Sequence, residues 1–202
     1  LMLSVLRKIS YADKAMKEGK WIKKELFGRE LGNLTVGVVG VGGRIGSEVA
    51  RILKEGFKSK VIGYDVIDVT DKAEKIGFEP TRSLDELLKK SDIITIHVPY
   101  LPSTHHLINE EKINLMRNGA IIINTSRGDI IDGKALLKAL KSGKLAGAGL
   151  DVFHKEPPED DWEKELISLG NVVCTCHIGA QTIEAQKQAS IMAATQLIEA
   201  LK

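Results

Sequence analysis

Gly40, Gly42, Gly43 and Gly46 crowd into the segment Gly37-Val-Val-Gly40-Val41-Gly42-Gly43-Arg44-Ile45-Gly46, directly after the apolar start of the run Thr35 to Val39. Glycines between a strand and a helix let the backbone turn tightly and bring its amides close to a pyrophosphate at the positive end of the helix. Asp65 closes the next apolar run, about 20 residues on, where a carboxylate accepts from a ribose hydroxyl and repels a 2'-phosphate. No arginine follows between Asp65 and Lys72 to receive such a phosphate, so the pattern selects NAD over NADP. A glycine-rich loop alone says little. Strand, glycines, helix, strand and acid in this order describe a dinucleotide site. The loop holds one residue more than G-x-G-x-x-G, and since Arg44-Ile45-Gly46 follows as a unit, the surplus falls at Gly42 or Gly43.

The elements that must position this loop are readable from apolar runs and punctuation. Thr35 to Val39, Val61 to Tyr64, Ile93 to Val98, Ala120 to Ile123, Ala146 to Leu150 and Val172 to Cys174 read as strands. They lack polar alternation, as buried parallel strands do when helices cover both faces. Leu1 to Lys20 has helical apolar spacing and stops at Gly19; Arg44 to Glu55 and a charged stretch near Asp71 to Lys75 are helices too. Ser83 and Glu86 have capping-box spacing ahead of Leu87 and Leu88. Asn109 caps a helix through Met116, Asp132 caps Lys134 to Lys141 with Gly143 at its stop, and Thr182 to Leu201 is a closing helix. Alternating strands and helices imply an α/β fold with a doubly wound parallel sheet, a Rossmann arrangement.

Three segments beyond the glycine loop carry a resemblance. Ile123-Asn-Thr-Ser-Arg127-Gly128, Gly149-Leu-Asp151-Val-Phe-His-Lys-Glu156-Pro157 and His177-Ile-Gly179-Ala180, with Thr95-Ile-His97-Val-Pro99 and Leu107-Ile-Asn109 between, resemble the D-isomer-specific 2-hydroxyacid dehydrogenases over essentially the whole chain. Within that family the pattern looks most like the D-3-phosphoglycerate dehydrogenases. The resemblance implies NAD-dependent oxidation of a D-2-hydroxy acid at C2, here D-3-phosphoglycerate to 3-phosphohydroxypyruvate in serine biosynthesis. It implies Arg127 as the substrate-binding arginine, Glu156 as the carboxylate and His177 as the proton-transfer residue.

The chemistry makes sense of each type. Charge develops on the C2 oxygen, a histidine can pass a proton there near neutrality, and a carboxylate fixes the ring's tautomer. An arginine offers a planar fork to a carboxylate. The same resemblance sets Asp151 near the nicotinamide and Arg44 and Ile45 along the pyrophosphate. It makes Thr125 a backbone contact to the nicotinamide, and it puts His97, Val98 and Pro99 in the adenosine-side loop. His105, His106 and His154 read as exposed loop histidines. Where many relatives have proline, Cys176 precedes His177, which is expected to loosen its presentation.

Length and charge exclude other classes. The net charge of +2, with Lys and Glu interspersed, leaves no footprint for nucleic acid or an anionic membrane. Cys174 and Cys176 are too close for an unstrained disulfide and lack converging partners for a metal site, so they read as buried thiols on one strand face of a cytoplasmic protein. The chain begins at Leu1 in what already reads as mid-helix, so a domain boundary is expected there, with most of the substrate domain outside the chain. The expected division is an interdomain helix and linker over 1–32, the NAD-binding domain over 33–181, and a closing helix over 182–202 that crosses back to the substrate domain. The expected partners are a small 2-hydroxy or 2-keto acid and a second copy of the chain, joined through an apolar N-terminal helix left exposed. The competing substrates are glyoxylate, hydroxypyruvate or D-lactate. The competing class is an NAD-sensing, corepressor-like binding module.

Overall fold

The unalternating apolar runs become strands, those at the centre buried on both sides, and one more joins at the edge. In a computed structural model that describes residues 1–201, they are β1 (Thr35–Val39), β2 (Lys60–Tyr64), β3 (Glu79–Thr81), β4 (Ile93–Ile96), β5 (Ala120–Asn124), β6 (Leu145–Leu150) and β7 (Val172–Cys174). They pair in one seven-stranded sheet of order β3-β2-β1-β4-β5-β6-β7. Every pairing is parallel, with Val36 opposite Val61 on one side and Ile93 on the other. The chain winds one way from β1 to β3 and the other way from β4 to β7. The switch between β1 and β4 is where such sheets open a crevice at their carboxyl ends.

Helices α1 (Met2–Leu6), α2 (Ile9–Lys17), α3 (Arg44–Glu55), α4 (Thr70–Ile76), α5 (Leu84–Lys90), α6 (Glu110–Leu115), α7 (Gly133–Lys141), α8 (Asp161–Ser168) and α9 (Ile183–Ala200) connect and flank the strands. Alternate strand residues feed two cores. Val36, Val38, Ile93, Ile121 and Ile123 pack with Leu6, Ala50 and Leu53 from α1 and α3. Ile94, Ile96, Ile122 and Ala148 pack with Leu87, Ile113, Leu136 and Leu166 from α5 to α8. Burying this aliphatic surface is the main force holding the layers together.

Caps act where the sequence places them. Asn109 accepts from the amide of Lys112 at 3.0 Å, and Asp132 from those of Lys134 and Ala135 at 3.1 Å. Ser83 accepts from the Glu86 amide at 3.2 Å, but the box stays half formed. The Glu86 carboxylate goes to Thr81 and Lys90, and Thr81 takes the Ser83 amide. The expected single helix over 1–20 is two, broken where Lys8 adopts a left-handed φ of 51°. Its first part is mostly covered: α1 packs on β6, where Val5 lies beside Gly147 and Gly149, and Leu6 is buried. Leu3 of α1 and Ile9, Tyr11 and Met16 of α2 stay open. The edge strand β3 and the helix α8 had no clear sequence signal, because one holds a proline and the other is half charged. The α9 helix has no buried residue. No described helix is long and apolar enough to cross a membrane.

Candidate active site

The glycine loop lies at the carboxyl end of β1, where two glycines meet backbone too closely for any side chain. A Cβ on Gly40, whose φ is 86°, would sit 2.5 Å from the His97 carbonyl oxygen; one on Gly46 would sit 2.1 Å from that of Gly40. Gly42 is pinned by its neighbours. Its amide donates to Asp65 Oδ2 at 2.8 Å and its carbonyl accepts from Lys72 Nζ. Gly43 is exposed and begins α3 with no side-chain cap, which leaves the first-turn amides of Arg44 and Ile45 facing outward for an anion. The cradle therefore fits a dinucleotide, with room that only glycine leaves and a carboxylate at its rim. Asp65 Oδ1 also accepts from the Val66 amide at 2.8 Å, which aims the acid at the loop.

His97, Val98 and Pro99 follow β4 and back the loop. The His97 ring bonds Thr95 Oγ1 at 2.9 Å, and burial pushes its pKa down to about 4, so it is neutral at neutral pH. Thr125 is exposed at the end of β5. Beside it Asn124, buried at 1% exposure, accepts from the Ser126 amide at 3.0 Å and donates to the Arg127 carbonyl at 2.9 Å. This side chain shapes the turn that presents Arg127, and sequence reasoning passed over it. The signal available was a single amide ending the run Ala120-Ile-Ile-Ile-Asn124.

Arg127, Glu156 and His177 come from three loops, after β5, β6 and β7, and line one cleft of about 350 Å³ with Tyr100. Glu156 Oε2 is 2.7 Å from His177 Nδ1, and its Oε1 accepts from the Phe153 amide at 3.2 Å. Partial burial works to raise the Glu156 carboxyl, but these two hydrogen bonds and the charges of His177 and Arg127 outweigh it and hold the group below the usual carboxylate range. An ionised carboxylate only accepts, so Nδ1 carries the proton and Nε2 is the working edge. One Arg127 nitrogen donates to the Ser126 carbonyl at 2.6 Å, leaving the rest of its fork for a ligand.

The turn carrying His177 is fastened by Asp151, which is buried at 3% exposure. The Asp151 carbonyl takes the His177 amide at 2.8 Å, and its carboxylate takes Thr175 Oγ1, the Ile178 amide and the Gly179 amide at 2.5 to 2.9 Å. Burial opposes ionisation of Asp151, yet these donors keep its pKa low. They also hold His177 at a left-handed φ of 55°. Asp151 is thus engaged by the chain itself.

Two sequence readings change here. The cysteines do not share a strand face: β7 ends at Cys174, which is half-buried, and the Asp151-held turn carries Cys176 out to solvent. His154 stays exposed in its loop, as the sequence reads, and has a partner there. Its Nδ1 lies 2.5 Å from Asp129 Oδ1, and both line the same cleft as His177. His105 and His106 stack at 3.9 Å, and His106 is half-buried rather than exposed. Among the described residues no three His, Cys, Asp or Glu side chains gather as a metal ion would require.

Comparison with known proteins agrees with this geometry. The NAD-binding domain of the D-isomer specific 2-hydroxyacid dehydrogenases matches residues 1–179. The chain is 45% identical over 202 residues to the D-3-phosphoglycerate dehydrogenase of Methanocaldococcus jannaschii, covering all of this chain and 38% of that protein. It is 48% identical over 191 residues to the hydroxypyruvate reductase of Thermotoga maritima, covering 95% of this chain and 60% of that one. The D-lactate dehydrogenase of Aquifex aeolicus, solved with NAD and lactic acid, superposes with a TM-score of 0.87 at 36% identity, covering 98% of this chain and 64% of the other. The chain thus spans less than two thirds of the length of each of these proteins. A Rossmann sheet with a dinucleotide cradle, continuous with a family match that reaches Gly179, leaves one assignment: the chain belongs to the D-isomer-specific 2-hydroxyacid dehydrogenase family, as its NAD-binding domain.

Proposed function

We propose that the chain is the cofactor-binding part of an NAD-dependent oxidoreductase acting at C2 of a D-2-hydroxy acid, with D-3-phosphoglycerate as its substrate, at the entrance to serine biosynthesis. The observation that carries the reaction type is the Glu156–His177 pair at 2.7 Å in one cleft with Arg127. The full-length match in this chain to a D-3-phosphoglycerate dehydrogenase supports the substrate.

The cofactor would be held by the loop Gly40, Gly42, Gly43 and Gly46 with Arg44, Ile45 and Asp65, backed by His97, Val98 and Pro99, with Thr125 toward its reactive end and Asp151 acting there through the turn it fastens. A nicotinamide held there would supply the hydride chemistry at C2 in either direction. The chain does the rest. Arg127 pairs with the substrate carboxylate and orients C2. His177 Nε2 takes the proton from the C2 hydroxyl during oxidation and gives it back during reduction. Glu156 keeps Nδ1 protonated and stabilises the imidazolium that forms, and the Asp151 clamp holds the ring in place.

The second reading, a hydroxypyruvate or glyoxylate reductase, is favoured by the 48% identity to the Thermotoga protein. NADH oxidation by the full-length protein with hydroxypyruvate, glyoxylate and pyruvate, against 3-phosphoglycerate with NAD in reverse, separates the two. Phosphoglycerate oxidation supports the first. Turnover of a small keto acid alone transfers the same mechanism to the second. Tight NADH binding with no turnover of any of them would replace both with a cofactor-sensing module. We further infer a homodimer in the cytoplasm. Trp21 and Phe27, 78% and 86% exposed, support a partner on this domain, and two free thiols suit a reducing compartment.

A further inference from the structure

The loop that carries Glu156 is a thin wall. On one side is the cleft of Arg127 and His177; on the other is a cavity of about 370 Å³ lined by Trp162, Leu136, Leu166 and Glu163. Phe153 and His154 border both spaces. Packing of the Phe153 backbone on Gly128 fixes where the segment begins; beyond it, with open volume on each face, polar tethers must do most of the locating. Besides the Glu156–His177 bond itself, three reach it. His154 Nδ1 meets Asp129 Oδ1 at 2.5 Å, Lys155 Nζ meets Asp160 at 2.7 Å, and the Lys155 amide donates to Glu163 Oε1 at 3.2 Å. The first two involve exposed side chains, which water competes for.

Glu163 is different. It is 1% exposed, an acid in the first turn of α8, where the helix dipole favours it, yet it is buried and its Oε2 has no hydrogen-bond partner among the described residues. Such a group is costly to bury unless the bond it makes is needed. That bond holds the backbone of the residue next to Glu156, whose carboxylate sits 2.7 Å from His177.

We propose that Glu163 is a positioning residue for the proton-transfer pair: its carboxylate fixes the Lys155 amide, and through it the distance between Glu156 and His177. The inference rests on the hydroxy-acid dehydrogenase reading of the cleft, and it needs only an acceptor at Oε1, not a charge.

Four variants of the full-length protein test it. Glu163→Gln keeps the acceptor, and Glu163→Leu removes it while filling the space. Lys155→Pro removes the same hydrogen bond from the donor side, and Lys155→Ala removes only the ion pair to Asp160. Keto-acid reduction, with its pH profile, is measured for each, together with NADH affinity. In parallel, NMR of histidine-labelled protein follows the downfield Nδ1 proton of His177, a signal that needs no turnover. Glu163→Gln and Lys155→Ala are expected to stay within about twofold of the parent. Glu163→Leu and Lys155→Pro are expected to lose at least tenfold in kcat, to shift the pH profile, and to lose or broaden the Nδ1 signal, with NADH affinity unchanged.

Parental kcat, pH profile and Nδ1 signal in folded Lys155→Pro would overturn the proposal even if Glu163→Leu failed to fold. So would a Glu163→Gln variant as damaged as Glu163→Leu, since charge would then be the requirement. If the parent turns over no hydroxy or keto acid, the functional reading fails by itself, and the Nδ1 signal alone decides whether Glu163 positions His177.

Discussion

The Gly42 amide donates to Asp65 Oδ2 at 2.8 Å, so the acid that the sequence assigns to the ribose is also the fastener of the glycine loop. This separates the two glycines between which the surplus residue falls. A Cβ on Gly42 would meet Asp65 Oδ2 at 2.8 Å, whereas the nearest atom to one on Gly43 is the Gly40 carbonyl oxygen at 3.4 Å. Gly42→Ala should therefore push the carboxylate aside and weaken NADH binding about tenfold, or ~1.4 kcal/mol. Gly43→Ala should bind NADH close to parental strength, marking Gly43 as the surplus position. Fluorescence titration with NADH checks both, and equal losses would place the tuned geometry in the whole loop.

The Glu156–His177 pair makes a kinetic prediction. Replacing a general acid–base typically costs about 10²- to 10⁴-fold. His177→Gln should lose that much in kcat with NADH affinity within twofold of the parent. Glu156→Gln should fall less far, because the amide can still accept from Nδ1 but no longer stabilises the charged ring. Steady-state kinetics on the full-length protein, with NADH binding measured separately, decides the matter. A Glu156→Gln variant worse than His177→Gln would mean that the carboxylate does more than hold the ring.

The sheet was largely readable because Ile93-Ile94-Thr-Ile96 and Ala120-Ile-Ile-Ile123 are too apolar to be anything but buried. The cradle was readable because its glycines answer to backbone geometry, which is local in sequence. What the sequence hid is long-range or context-bound. Asp129 and His154 are 25 residues apart and meet only because Gly128 lets the two loops touch, a Cβ there falling 2.1 Å from the Phe153 carbonyl. Glu163 drew no notice, since exposure is not written in residue type and no helix was expected there. The break at Lys8 was hidden because helical spacing continues through it.

His97 makes stability depend on pH. In the unfolded chain its ring takes a proton below pH 6.5, but in the folded protein burial delays this to about pH 4. Between these values the unfolded state holds the extra proton, so stability falls as pH falls from 6.5 toward 4 and this contribution levels off below. The loss reaches at most about 3 kcal/mol. His97→Gln should flatten the curve over that window. Urea midpoints measured from pH 7.5 to 4 test this, and parallel slopes for parent and variant would show that other groups set the acid response.

Cys176 precedes His177 where the family resemblance implies proline, and the structure says what that exchange should do. The Cys176 amide donates no hydrogen bond to any described residue, so proline would remove none. The turn is located from the other side, by the Asp151 carbonyl on the His177 amide at 2.8 Å and by the Asp151 carboxylate on Ile178 and Gly179. Those contacts already hold His177, so stiffening residue 176 should act mainly on the unfolded chain. Cys176→Pro should raise stability by about 0.4–1 kcal/mol and leave kcat at or slightly above the parent. Thermal unfolding and keto-acid kinetics on the full-length protein check the two halves independently. Lower turnover with higher stability would show that His177 needs the freedom a non-proline residue allows.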